Sequence, residues 1–146
     1  MIEIGLYDAL AVLLANEYNW HTEQEWQDMY HLIRLHLDTG LWVALQSDDG
    51  KLEGFAAWIR TDETGAALIR EYGFENLVRL AIPIQLTGPV LLLMYTVVMP
   101  TAQGNTLARL WAEVIRKNPE AVSAQTRIRP KGRLNYWLVR KIVRRK

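Results

Sequence analysis

The 146-residue sequence contains no cysteine. That one absence excludes disulfide frameworks, thiolate nucleophiles, cysteine-ligated zinc and iron–sulfur clusters. A membrane-length apolar run is also missing. The longest, Pro89 to Pro100, covers about 12 residues and includes Tyr95 and Thr96, against the roughly 20 that a helix needs to cross a bilayer. The opening Met1-Ile2-Glu3-Ile4-Gly5 carries an acid and no basic cluster, so it does not read as a cleavable signal. A soluble, cytoplasmic protein with no membrane span is expected. Acidic residues are absent between positions 127 and 146, where nine of the seventeen Lys and Arg residues lie. The net charge of +1 therefore hides a body of about −8 joined to a terminal segment of about +9. Such asymmetry suggests an anionic partner, or else a basic segment lying on the acidic face of its own domain.

What is present describes one globular domain spanning residues 1–146. Half the residues are hydrophobic, 23% are charged and 10% aromatic, enough apolar material for a single core. Leu6, Leu10, Leu13 and Leu14 recur at helical spacing and predict a first helix over residues 5–18. Thr22 and Glu25 form a capping box ahead of Trp26, Met29, Tyr30, Ile33 and Leu37, so a second helix is expected over 23–38, stopped by Gly40. The period then changes. Leu41 to Leu45 and Leu52 to Ile59 read as an antiparallel hairpin around Asp49-Gly50. Thr61 to about Leu80 reads as one helix, or as two broken near Gly73. Val90 to Met99 reads as a central strand buried on both faces. A helix from Gly104 to Asn118 and two last strands, Ala121 to Ile128 and Leu134 to Val139 about Pro130-Lys131-Gly132, complete a mixed α/β order.

The strand ending Val97-Val98-Met99-Pro100 is followed by Thr101-Ala102-Gln103-Gly104-Asn105-Thr106-Leu107-Ala108. Backbone N–H groups at a helix start, reinforced by the helix dipole, offer an anion site there. This unit resembles the acyl-carrier-binding core of the GNAT N-acyltransferase superfamily, whose Gln/Arg-x-x-Gly-x-Gly/Ala pattern becomes Gln103-x-x-Thr106-x-Ala108 here. The resemblance implies a GNAT-like fold and carrier contacts from Met99, Gln103, Gly104, Asn105, Thr106 and Ala108. At Thr106, where the pattern has glycine, a Cβ is expected to narrow the approach of a phosphate. Only Ile2 to Ile4 is available as the family's opening strand.

About 30 residues separate the hairpin from the central strand, and helical sequence at this point is similar to the toxin-activating lysine acyltransferases that modify RTX-type toxins. The layout of His21, Trp42-Val43-Ala44-Leu45 and Ala56-Ala57-Trp58 is similar to that family's histidine, first hairpin strand and small-residue–Trp motif. The resemblance implies an acyl group taken from acyl carrier protein or a coenzyme A thioester as co-substrate, with no permanently bound cofactor, and delivered to an amine such as a protein lysine. His21 would be the general base, since imidazole titrates near neutrality. Thr96 would stand where the family places the aspartate that pairs with it. The alternative for His21 is an exposed flank of the second helix beside Trp20.

Other polar residues carry weaker signals. His31 and His36 lie five residues apart, a turn of about 500° that puts them on different helix faces, so no metal site is expected. Asp48-Asp49 reads as a turn, and most of the six tryptophans as core. Arg127, Arg129, Lys131, Arg133, Arg140 and Lys141 interleave with Tyr136 and Trp137, a pattern suited to nucleic acid or to an acidic carrier protein. A second functional class therefore stands beside the first: a catalytically inactive binding module acting through its basic C-terminus.

Overall fold

The computed structural model describes residues 34–50, 52–99, 102, 104–128 and 136–144. The expected first helix, most of the second, Ile2 to Ile4 and the Pro130-Lys131-Gly132 turn lie outside the described residues. Residues 34–39 are helical, and Gly40, at a φ of 74°, follows them.

The strands form a five-stranded mixed sheet in the order β1-β2-β3-β4-β5, where β1 is Trp42–Gln46, β2 Leu52–Thr61, β3 Val90–Val98, β4 Ser123–Ile128 and β5 Tyr136–Lys141. Helices α1 (Glu63–Tyr72) and α2 (Phe74–Arg79) separate β2 from β3, and α3 (Thr106–Lys117) separates β3 from β4. The strand expected to be central is central. Its burial differs from expectation: Val90, Leu91 and Leu92 are fully buried, while Leu93, Met94, Thr96, Val98 and the following Met99 are half-buried. A run of apolar letters cannot show where along a strand the covering elements stop.

The chain divides into two compact units. One contains the described residues up to Ala57 together with Tyr95–Lys117. There β1 and β2 pair antiparallel from Trp42↔Ala57 to Gln46↔Leu52, with an irregularity between Leu45 and Gln46. Trp42 and Phe55 stack at 6.3 Å, a diagonal cross-strand pair. The hairpin turn closes with Gly50 N–H donating to Ser47 O at 3.0 Å, and Gly50 takes a φ of 85° that a Cβ would disfavour. Helix α3 buries Thr106, Leu110 and Val114 on one stripe.

The second unit holds Trp58–Met94 and the described residues from Asn118 onward. Asp62 caps α1, its carboxylate accepting Gly65 N–H at 2.7 Å. Gly73, at a φ of 84°, stops α1 and opens α2, which realises the expected break. Arg60 Nε donates to Gly88 O at 2.7 Å, and Thr61 Oγ1 to Gln85 O at 2.6 Å, bringing the chain back to the start of β3. Strand β3 pairs parallel with β4 from Val90↔Ser123 to Leu93↔Thr126, a four-residue ladder although β3 has nine residues. Strand β5 pairs antiparallel along the whole of β4.

Candidate functional site

The segment that follows β3 is built by two backbone bonds and one close approach. Met99 N–H donates to Glu53 O at 2.8 Å, fastening the end of β3 to the beginning of β2. Ala102 N–H donates to Met99 O at 3.0 Å, turning the chain. Gly104 and Asn105 form an exposed turn, and Arg109 N–H to Asn105 O, at 3.0 Å, is the first rung of α3. The first N–H groups of a helix have no intrahelical acceptor and lie at its positive pole. The first turn of α3 holds no acidic side chain to neutralise that pole.

The structure thus gathers Met99, Gly104, Asn105, Thr106 and Ala108 into one short segment. Met99 is half-buried, Gly104, Asn105 and Ala108 are exposed, and Thr106 is fully buried. Around Gly104 an added Cβ would meet nothing within 4 Å. Gln103 and His21 lie outside the described residues, and Thr96 is half-buried on β3, three residues before Met99. Thr106, expected to narrow the approach of a phosphate, packs inward. Its Cγ2 fills space over β2, 3.0 Å from where a Cβ on Gly54 would stand, and Leu110 Cδ1 lies 2.7 Å from the same point. The glycine that permits close helix–strand contact sits on β2 instead of α3, and the threonine methyl turns inward. A lone glycine inside a strand pattern is the sequence signal for such an approach. Sequence reasoning passed over Gly54, and with it Glu53 and Arg109, whose carboxylate and guanidinium come within 4.0 Å of each other.

Of the basic residues, Arg140 and Lys141 are exposed on β5, opposite Ala124 and Ser123, and Arg127 belongs to β4 opposite Trp137. Arg129, Lys131 and Arg133 lie outside the described residues. Arg144 Nη2 donates to the carbonyls of Asn118 and Ala121, at 2.6 and 2.9 Å. His36 is fully buried. Trp42 and Trp58 belong to the core as expected, whereas Trp111 is 38% exposed. On α3 the hydrogen bond from Arg116 holds the Glu113 carboxyl below its ordinary range, and Glu113 in turn raises the Arg116 guanidinium. Among the described residues no three His, Asp or Glu side chains could hold a metal ion, and no helix is long and apolar enough to cross a membrane.

No protein-family model matches the sequence, and no curated protein matches it. Solved structures do. The GphF GNAT-like decarboxylase in complex with isobutyryl-CoA superposes with a TM-score of 0.61 at 17% identity, over 84% of this chain and 60% of that one. The loading GNATL domain of CurA from Lyngbya majuscula gives 0.59 at 15% identity, over 84% and 59%. A putative acetyltransferase of the GNAT family from Desulfovibrio desulfuricans gives 0.54 at 17% identity, over 84% and 66%. The fold is GNAT-like. The chain spans about three fifths of the length of the first of these structures. In this GNAT-like fold, β3, the turn at Gly104 and Asn105, and α3 form the strand–loop–helix unit that the sequence pattern singled out.

Proposed function

We propose that this protein is an acyltransferase that takes an acyl group from a thioester carrier, acyl carrier protein or coenzyme A, and passes it to an amine such as a protein lysine, in the manner of the toxin-activating lysine acyltransferases. The observation that carries the reading is the exposed Gly104–Asn105 turn opening α3, whose first turn holds no acid, on a GNAT-like sheet. Such an end accepts the phosphate of a carrier arm. The isobutyryl-CoA bound to a protein of the same fold supports a thioester as the donor.

In the proposed reaction the amine nitrogen attacks the thioester carbonyl, the C–N bond forms, the C–S bond breaks and the thiol leaves. His21 would accept the ammonium proton and return one to the departing sulfur, with Thr96 as its hydrogen-bonding neighbour. The carrier arm would lie along Met99, Gln103, Gly104, Asn105, Thr106 and Ala108. No permanently bound cofactor or metal is needed, and the cytoplasm supplies both carriers. A second reading, a catalytically inactive module binding nucleic acid or an acidic protein, is favoured by the exposed Arg140 and Lys141 and by threonine in place of a carboxylate at position 96.

Calorimetry of the full chain with acyl-CoA and acyl carrier protein separates the two. Binding of either, weakened by Gly104→Pro, is the expected result, since proline removes a donor from the turn. Absence of binding to both leaves the second reading, which predicts nucleic-acid affinity falling linearly with salt on a log–log plot.

A further inference from the structure

Three stretches of chain meet where β3 and β4 begin and β5 ends. Residues 85–89 are held there by Thr61 and Arg60, which donate to the carbonyls of Gln85 and Gly88. Val122 N–H donates to Pro89 O at 2.8 Å and Ile142 N–H to Val122 O at 2.9 Å, so Pro89, Val122 and Ile142 continue the sheet side by side past its last paired residues. The backbone at this junction is hydrogen-bonded, yet its side chains face water: Leu86 is 52% exposed, Val122 57% and Val143 84%, and Pro89 is exposed beside them. Aliphatic side chains scattered singly over a surface need no explanation. Here they converge from three segments onto one end of the sheet.

Cations share that end. Lys141, opposite Ser123 at the close of β5, and Arg144 are exposed on the segment that carries Val143. Arg144 donates to the carbonyls of Asn118 and Ala121, which fixes its guanidinium at the turn before β4. From residue 118 to residue 146 the sequence has nine bases and one acid, Glu120. The pairing of aliphatic with cationic groups decides between occupants. A second copy of this chain would set Lys141 and Arg144 against their own counterparts, because a two-fold interface repeats one patch on both sides. Protein partners are anchored mainly by tryptophan, tyrosine and arginine, with leucine and valine under-represented. A lipid surface requires neither pocket nor register: it takes up aliphatic side chains at the boundary of headgroups and acyl chains and holds cations near its phosphates.

We propose that this end of the sheet docks on an anionic phospholipid bilayer, with Leu86, Val122 and Val143 entering the headgroup–acyl boundary and Lys141 and Arg144 lying at the lipid phosphates. The contact is peripheral, made by loops, and is independent of the acyl-transfer reading. Flotation of the full chain with phosphatidylcholine vesicles and with equimolar phosphatidylcholine–phosphatidylserine vesicles tests it. The native protein should prefer the anionic vesicles by about tenfold or more, and the preference should shrink as salt rises. Lys141→Glu should weaken binding to them several-fold, and Val122→Ser combined with Val143→Ser by about tenfold, with the melting temperature unchanged because these side chains are exposed. Since the chain has no cysteine, Val143→Cys accepts a single environment-sensitive fluorophore, whose emission should move to the blue on the anionic vesicles. Failure to float with those vesicles overturns the proposal. So does binding that the paired serine substitution leaves undiminished, which would assign the attraction to the basic segment alone, or a fluorophore that stays in water while the protein floats. A dimer in sedimentation that the serine pair dissolves, without vesicle binding, would give the patch to a second copy instead.

Discussion

The seat of α3 and the return of the chain to β3 meet the same steric problem by different means. At the first, Gly54 leaves room for the ends of two side chains, Leu110 Cδ1 at 2.7 Å and Thr106 Cγ2 at 3.0 Å from a notional Cβ. At the second, Gly88 leaves room for backbone: the Thr61 carbonyl oxygen would lie 2.5 Å from its Cβ, and φ is 138°. Side-chain ends can swing to another rotamer, whereas a carbonyl locked in a strand cannot. The chemistry of the two joints differs as well. The helix is seated by apolar packing, while the return is tied by Arg60 and Thr61 donating to the carbonyls of Gly88 and Gln85. Among the described residues, that apolar seating leaves Thr106 Oγ1 without a hydrogen-bond partner. The Thr61 hydroxyl of the polar clasp has one.

If that contrast is right, Gly88→Ala should be the most damaging change, costing about 3 kcal/mol or more from strain and overlap combined. Urea unfolding checks it, and a loss below about 1 kcal/mol would show that the return is more pliable than its geometry implies. Gly54→Ala should cost less, about 1–3 kcal/mol as an overpacking change. In a Leu110→Ala background the added methyl should cost less still, because the nearest atom it meets has gone. A double-mutant cycle by thermal unfolding measures the coupling, and simple additivity would break the comparison.

The smallest effect belongs to the exposed pair on α3. Arg116 lowers the Glu113 carboxyl, so the stability this pair contributes is present above the ordinary glutamate value and is lost as pH falls through the lowered one. Glu113→Gln should therefore melt slightly below the native protein near neutrality and together with it in strong acid. A melting temperature measured across that range shows the convergence.

Much of this architecture was legible because it rests on local rules. Gly73 breaks α1 from α2 where the pattern placed a break, Asp49-Gly50 makes the hairpin turn, and Val90 onward forms the middle strand. The element ends were offset by a residue or two, since helices and strands end where packing ends. The candidate site was legible as a segment and not as a set of contacts. The inward packing of Thr106 was not legible, because a motif records which residue occupies a position and not which way its side chain turns. Gly54, Glu53 and Arg109 were passed over because the first two are separated from α3 by about a third of the chain, and only folding makes them neighbours.

The double clasp of Arg144 bears on how the basic C-terminal segment should be probed. Its guanidinium closes the turn after α3 by holding the carbonyls of Asn118 and Ala121, and Ile142 N–H adds a bond to Val122 O at 2.9 Å. Cutting the chain after Val139 would strip acceptors of their donors as well as removing positive charge, and a loss of binding would carry two meanings. Reversing Arg140 and Lys141 to glutamate changes the charge on β5 alone, because their backbone pairing with β4 does not depend on the side chains. Charge and anchorage in this segment are separable by substitution and inseparable by truncation.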